Sequence, residues 1–307
     1  MTKVIVTGSD GFVGKHLIEL LKKSNPPAGG DRIFGLDKSQ ADITNYSQIK
    51  KYLAKILAQG QSASGGKPDQ VYHLAGFASG AGKDKALIFK VNVQGTINIL
   101  KALKEIDSPV KIMLASTAYV YGNTSQCATE NSRTDAKSFY DKSKLHMEKE
   151  ARKYLSANIQ IVISRATNHI GPGQKLGFVV PDFCSQIAKA KSSDTILVGN
   201  LSAKRDIFDV KDCVKAYKIL MQKGKSGEIY NVGPGKPVNI KKVLNKLIKI
   251  SDKELSYRID PKLKRPSDIT KNCVDSSKIK KLGWQPKIFL EKSLKDAYQY
   301  YLTTTKM

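Results

Sequence analysis

The chain has 307 residues, is 40% hydrophobic and carries a formal net charge of +25 at pH 7. That size and apolar content fit one elaborated globular domain, or two closely joined ones, with ample core. No apolar run approaches the roughly 18 residues a membrane span needs, and the N-terminus enters a strand rather than a signal peptide, so a cytoplasmic protein with no membrane partner is expected. Lysines lie on nearly every predicted helix without forming a basic block or alternating with aromatics; this argues against a nucleic-acid partner and for a solvated lysine surface that attracts small anions.

In chain order, Val4, Ile5 and Val6 form a β-branched apolar run, as in a strand covered on both faces of a parallel sheet. Gly8, Gly11 and Gly14 follow, with Phe12 and Val13 before the last, and 15–23 reads as an amphipathic helix. Gly8 permits a tight turn, Gly11 lets a pyrophosphate approach free N–H groups at the helix N-terminus, and Gly14 lets the helix pack closely on the strand. An ordinary strand-to-helix turn explains glycines alone, but the next strand, 33–36, ends in Asp37. That lies about 20 residues beyond the last glycine, where a carboxylate accepts hydrogen bonds from an adenosine ribose. Asp37 would repel a 2′-phosphate, so NAD(H) is preferred over NADP(H), with Lys38 softening the preference.

The alternation continues with a helix over 45–59, a polar loop over 61–67, a strand over 70–74, a long helix over 85–105, a strand over 110–115, a helix over 138–155 and a strand over 159–164. Such alternation predicts an α/β fold, a Rossmann doubly wound parallel sheet. Beyond Arg165 the rhythm breaks into a glycine-rich stretch, a helical signal over 182–191 and an irregular loop. It resumes in 207–210, a helix to 222 and 228–232, read as late additions to the same sheet; helices over 239–250 and 290–302 follow. The division implied is a dinucleotide-binding part of 1–167 and 206–233, and a smaller, discontinuous C-terminal substrate-binding part of 168–205 and 234–307. Cys127, Cys184, Cys213 and Cys273 are scattered without paired spacing, so neither a metal site nor a disulfide is expected, only reduced structural thiols.

The chemistry is carried by Tyr140 and Lys144, four apart on a predicted helix and therefore on one face. A phenol has an ordinary pKa near 10, and a neighbouring ammonium together with an oxidised nicotinamide brings its phenolate toward a useful acid–base range. A surface Tyr and Lys on a charged helix have the same spacing. Thr117 ends the fourth strand at the carboxyl edge where open α/β sheets bind ligands, and its hydroxyl can orient a substrate oxygen beside Tyr140 or satisfy its own backbone.

Thr7-Gly8-x-x-Gly11-x-x-Gly14, His73-Leu74-Ala75-Gly76, Asn92-Val93-x-Gly95-Thr96, Ser116-Thr117-x-x-Val120-Tyr121-Gly122 and Tyr140-x-x-x-Lys144 together resemble the extended short-chain dehydrogenase/reductases over nearly the whole chain. The resemblance implies that Tyr140 is the general acid or base, that Lys144 holds the nicotinamide ribose, and that Thr117 orients the reacting oxygen. It also implies that Asp42, Ile43, Leu74, Ala75 and Gly76 line the adenine and ribose sites, and that Asn92 supports Lys144 through water. The helices over 85–105 and 138–155 match those that pair into a four-helix interface in family dimers, so a homodimer is expected.

In the irregular part, Asn168 to Gln174, Gly177-Phe178-Val179, Val198 to Leu201, Arg205-Asp206 and Arg265-Pro266-Ser267-Asp268 are similar to the GDP-6-deoxy-D-mannose reductases. By that resemblance Arg205 and Arg265 clamp a diphosphate, as planar guanidinium groups suit; Asp268 accepts from the nucleoside; Asn168 touches the bridging phosphate or sugar; and Thr117, Ala118, Phe178 and Val179 complete the sugar site. His169 reads as a packing residue of its loop. Dehydratases of the family place a carboxylate just after the threonine, where this chain has Ala118 and Tyr119, and epimerase-reductases place a cysteine near Val120, where this chain has none closer than Cys127. The activity expected is NAD(P)H-dependent reduction of the C4 ketone of a nucleotide-linked 4-keto-6-deoxy sugar. A nucleotide-sugar 4-epimerase with tightly held NAD is the alternative, and an inactive cofactor-binding module docking on nucleic acid is a remote one.

Overall fold

The computed structural model describes residues 2–24, 31–57, 69–78, 84–107, 109–263 and 269–305. In it β1 (Lys3–Thr7) leads into α1 (Phe12–Ser24), β2 (Arg32–Leu36) into α2 (Tyr46–Leu57), and β3 (Asp69–His73) into α3 (Lys85–Phe89), which passes through a π-helical turn (Lys90–Gln94) into α4 (Gly95–Ile106). β4 (Val110–Thr117) is followed by a 3-10 turn (Ala118–Tyr121), α5 (Phe139–Arg152), β5 (Ile159–Ala166), β6 (Asn168–Ile170), α6 (Val179–Lys189), β7 (Thr195–Val198), β8 (Lys204–Arg205), β9 (Ile207–Asp209) and α7 (Val210–Lys223). The rest comprises β10 (Ile229–Val232), β11 (Val238–Asn239), α8 (Ile240–Ser251), β12 (Ser256–Ile259), β13 (Lys271–Asn272), α9 (Ser277–Lys280) and α10 (Leu290–Thr305).

The main sheet has the order β10-β5-β4-β3-β1-β2, and every pairing in it is parallel. Its strands are apolar on both faces because both are covered. One face packs on α2, α4 and α5 through Ile49, Leu53, Ile99, Leu103 and Met147, and the other on α1 and α7 through Leu17, Leu21, Val214 and Leu220. The chain steps from β1 outward to β2 and then back across to β3, so the strand order reverses between β1 and β3. Open sheets bind ligands at the carboxyl ends of such a reversal. A third apolar cluster is built from α6, α8 and α10 around Phe183, Leu244 and Leu294. Among the described residues no helix is long and apolar enough to cross a membrane.

Three expectations need correction. The helix over 85–105 runs unbroken but is not a regular α-helix throughout: the π turn at Lys90–Gln94 inserts an extra residue per turn, rotating the face so that Asn92 is buried at 1% exposure. The strand at 207–210 does not join the main sheet; β9 pairs with β6 beyond its edge, and of the two late strands only β10 extends the sheet. The expectation of reduced thiols fails for Cys127 and Cys273, which form a disulfide across a sequence separation of 146, while Cys184 and Cys213 are free and buried. The segments around the bridge run side by side, with Thr124 N–H donating to Lys271 O at 3.1 Å and Ala128 N–H to Cys273 O at 2.9 Å. Spacing along the chain carries no trace of that contact. The loop over 61–67 lies outside the described residues, as do Arg265 and Asp268.

Candidate active site

At the carboxyl end of β1 the backbone of Gly8 has φ +68, and a Cβ there would lie 2.9 Å from Ala75 N. At Gly14 a Cβ would strike the Gly8 carbonyl oxygen and sit 2.9 Å from Ser9 Cα. The β1 turn thus lies directly against the turn after β3, with the N-terminus of α1 opening onto it. This cradle, which a side chain would fill, fits a dinucleotide pyrophosphate. Val13 packs into the sheet's second core, and the Phe12 ring stacks on His169 at 6.2 Å and 13° between planes.

The other expected cofactor residues gather around this cradle. Asp37 Oδ1 accepts from Ser39 Oγ at 2.6 Å and Ser39 N at 2.8 Å, bonds that hold its carboxyl below the usual range, so it stands ionised at the end of β2. Asp42 is held below its ordinary value in the same way by Thr44 N, with Lys38 4.0 Å away. Ile43 packs against Gly95, and its carbonyl accepts from Asn98 Nδ2 at 2.9 Å. Leu74 and Ala75 N–H donate to Thr7 Oγ1 at 3.1 and 3.0 Å, and a Cβ at Gly76 would lie 2.8 Å from Asn92 Oδ1 and 3.4 Å from Lys144 Nζ.

The helix carrying Tyr140 and Lys144 starts with a capping box: the Ser138 hydroxyl accepts from Asp141 N at 3.1 Å and Asp141 Oδ2 from Ser138 N at 2.9 Å. Both side chains point to the end of β4. Lys144 is 6% exposed and donates to Ala115 O at 2.8 Å; burial pushes its ammonium down to about 8, with Glu148 pulling the other way. Burial pushes the Tyr140 phenol well above its ordinary value, with the nearby Thr117 hydroxyl acting to lower it. Thr117, 4% exposed, ends β4 and caps the following turn by accepting from Tyr119 N at 3.2 Å. Asn92 reaches the same helix from the π turn, donating through Nδ2 to Ser143 Oγ at 2.9 Å while Oδ1 accepts from Phe77 N at 2.8 Å; Ser143 in turn donates to Tyr140 O at 2.7 Å. A buried lysine and a tyrosine on one helix, facing a threonine at a strand end, can deliver or remove a proton at one point.

The substrate candidates divide. Asn168 and Arg205 converge on Tyr119, whose hydroxyl donates to Asn168 Oδ1 at 3.1 Å while the Arg205 guanidinium lies 5.9 Å from its ring centroid. Asp206 fixes this corner: it is fully buried, accepts from Gly235 N and Lys236 N at 2.9 Å each, and burial pushes its carboxyl up to about 6. Ala118 is fully buried beside Val120 and Val274, with its carbonyl accepting from Asn272 Nδ2 at 3.1 Å. Phe178 precedes α6 and Val179 opens it, packing against the third cluster. His169 donates through Nδ1 to Thr167 O at 3.1 Å and is packed between Phe12 and Phe208, with burial holding it below its usual pKa. Sequence reasoning overlooked Tyr119 as a link between the two halves of the site, and His73 as a link between the cradle and α4. The only signal for either was its place inside a longer motif.

The family described as GDP-mannose 4,6 dehydratase matches residues 5–297. Among characterised relatives, the GDP-6-deoxy-D-mannose reductase of Pseudomonas aeruginosa is 29% identical over 303 residues, covering 95% of each chain. The GDP-6-deoxy-D-talose 4-dehydrogenase of Aggregatibacter actinomycetemcomitans is 29% identical over 280 residues, covering 90% of each. Among solved structures, that of RMD from Pseudomonas aeruginosa complexed with NADPH superposes with a TM-score of 0.84 at 27% identity, over 99% of this chain and 100% of that one. The Thermus thermophilus UDP-glucose 4-epimerase in complex with NAD gives a TM-score of 0.84 at 24% identity, over 98% of this chain and 99% of that one, a likeness of fold.

Proposed function

Because this chain belongs to the GDP-mannose 4,6 dehydratase family of extended short-chain dehydrogenase/reductases, and is an NAD(P)-dependent oxidoreductase of the nucleotide-sugar class, we propose that it reduces the C4 ketone of a nucleotide-linked 4-keto-6-deoxy sugar. The substrate in this reading is GDP-4-keto-6-deoxy-D-mannose and the product GDP-D-rhamnose. The observation that carries it is Tyr140 facing Thr117 at the end of β4 beside a buried Lys144, followed along the chain by Ala118 and Tyr119. Neither of those two positions holds a carboxylate to take a proton from carbon next to the ketone, so the step left to the site is protonation of an oxygen.

A nicotinamide dinucleotide held by these residues would supply the hydride. Thr117 orients the ketone oxygen toward Tyr140, whose phenol donates its proton as negative charge develops there. Lys144 stays protonated below about pH 8, holds the cofactor ribose and stabilises the phenolate that remains. Gly8, Gly11, Phe12 and Val13 surround the pyrophosphate, and Asp42, Ile43, Leu74, Ala75 and Gly76 the adenosine. Ionised Asp37 accepts from the ribose hydroxyls and favours NAD(H), with NADP(H) tolerated through Lys38. On the substrate side Asn168 and Arg205 meet the phosphates with Arg265, Asp268 receives the base, and Ala118, Phe178 and Val179 shape the sugar pocket. In this reading 1–167 with 206–233 hold the cofactor and 168–205 with 234–307 hold the sugar nucleotide. Two copies pair through α3 to α5, where Leu87 and Phe139 stand exposed.

Likeness of fold to an NAD-bound epimerase supports a second reading, a 4-epimerase that keeps NAD⁺ tightly bound. A panel of GDP-, UDP- and dTDP-linked 4-keto-6-deoxy sugars with NADH and NADPH, with NMR of the product, separates the two. Stoichiometric consumption of reductant and a GDP-D-rhamnose product are expected. Co-purifying NAD⁺ with interconversion of a UDP- or GDP-hexose in the absence of added reductant would instead establish the epimerase.

A further inference from the structure

Glu148 lies one helical turn beyond Lys144 on α5 and is 2% exposed. Its Oε1 accepts from the Ser116 hydroxyl and from Arg165 Nε at 3.0 Å, and its Oε2 accepts from Arg165 Nη2 at 2.6 Å. Ser116 immediately precedes Thr117 on β4, and Arg165 is its register partner on β5. One carboxylate therefore ties the catalytic helix to the carboxyl ends of two adjacent strands. Arg165 extends the tie, its guanidinium 4.9 Å from the centroid of the Tyr121 ring, whose hydroxyl donates to Asn231 Oδ1 on β10 at 2.8 Å.

A buried ion pair is a poor stabiliser compared with apolar packing of the same volume, so a pair in this place asks for another use. The groups facing Lys144 supply one. From β3 comes His73, neutral because burial pushes it down to about 3; from β4 the Ala115 carbonyl; from the π turn the amide of Asn92; on α5 itself stand Tyr140 and Glu148, with Arg165 of β5 behind the carboxylate. Glu148 is the anion of this set.

We propose that Glu148 is a positioning residue for the reaction: its bonds to Ser116 and Arg165 set the height of Lys144 and Tyr140 against Thr117, and its charge keeps the Lys144 ammonium protonated. This rests on the reading of Lys144 as the group that holds the cofactor ribose. The electrostatic part is long-ranged enough to matter across one helical turn in a dry interior, while Arg165 moderates it.

The test is the affinity for NADH, followed by fluorescence from about pH 6 to about pH 10 on the full chain, because it needs no knowledge of the sugar. Wild-type affinity is expected to fall as Lys144 loses its proton. In Glu148→Gln that fall moves to lower pH by about half a unit, leaving binding about threefold weaker than wild type at a pH above both midpoints. Should the lone buried guanidinium unfold that variant, the double variant Glu148→Gln/Arg165→Gln retains an amide pair without a charge and shows a displacement in the same direction, smaller because the opposing Arg165 charge is gone as well. Glu148→Asp restores the charge with a shorter reach, so its midpoint returns to that of the wild type while binding is weaker at every pH. A folded double variant whose profile superposes on the wild type overturns the proposal. Lys144→Met keeping the wild-type profile overturns its premise, and the two failures are read from different proteins.

Discussion

His73 Nε2 lies 2.9 Å from Thr96 Oγ1, and that hydroxyl donates to Asn92 O at 2.8 Å. The proton between the first pair therefore belongs to the imidazole. Nδ1 then accepts from the Thr7 hydroxyl at 2.8 Å, which fits Thr7 Oγ1 receiving the N–H groups of Leu74 and Ala75. Each donor in this buried chain has one acceptor, and it runs from the glycine cradle to the turn that presents Asn92 to Ser143.

A protonated His73 has no place in that chain, and burial holds its pKa down to about 3, against 6.5 for a free imidazole. A base with a lowered native pKa gives stability that is present above the unfolded pKa and is lost as pH falls below it. Between pH 7 and pH 5 the wild type is expected to lose about 2 kcal/mol more than His73→Gln, which lacks the titration. Asp206, raised to about 6, pulls the opposite way as pH falls, so the difference between the two proteins is the quantity to measure, by denaturant unfolding at each pH. Parallel pH profiles would remove the neutral-histidine assignment.

Tyr140→Phe keeps the ring and removes the proton donor. Turnover with saturating cofactor is expected to fall by about 10² to 10⁴, with NADH affinity held near wild type because the proposed ribose contact of Lys144 is untouched. A steady-state comparison checks it, and near-wild-type turnover would take the general-acid role away from Tyr140.

Legibility in the sequence followed locality. Gly8 and Gly14 could be read because their constraint, a turn with no room for a Cβ, acts within one strand-turn-helix unit. Tyr140 and Lys144 could be read because helical spacing fixes their common face. The π turn at Lys90–Gln94 could not, since the apolar period continues through it and the turn is set by packing of Asn92 against α5. The departure of β9 from the main sheet was hidden in the same way, because a three-residue strand with two apolar residues looks alike in either setting. Tyr119 meets Asn168 and Arg205 across long separations that no pattern along the chain encodes.

The cysteines carry the next expectation. Bridging residues 146 apart constrains the unfolded chain strongly, and reduction is expected to lower stability by about 2–4 kcal/mol. Cys127→Ser should match the reduced wild type, and a reductant should then change nothing further. Cys184 and Cys213, each with its thiol pushed up to about 12 by burial, should react with a thiol reagent only once the chain unfolds. Denaturant melts with and without reductant, together with thiol titration of the native protein, read all three.

Gly14→Ala tests the cradle itself. The added methyl meets the Gly8 carbonyl and Ser9 Cα, both backbone, so neither can swing aside as a flexible side chain would. Either α1 moves away from β1 or the Gly8 turn opens, and overpacking of this kind costs about 1–3 kcal/mol. If, as proposed, those atoms face the pyrophosphate, NADH affinity should fall by more than tenfold even in protein that remains folded. Gly173→Ala provides the contrast: a Cβ there meets nothing within 4 Å, though φ +85 strains it, so it should cost stability and leave NADH affinity in place. Equal effects of the two variants on NADH affinity, measured by fluorescence titration, would remove the cradle from the cofactor site.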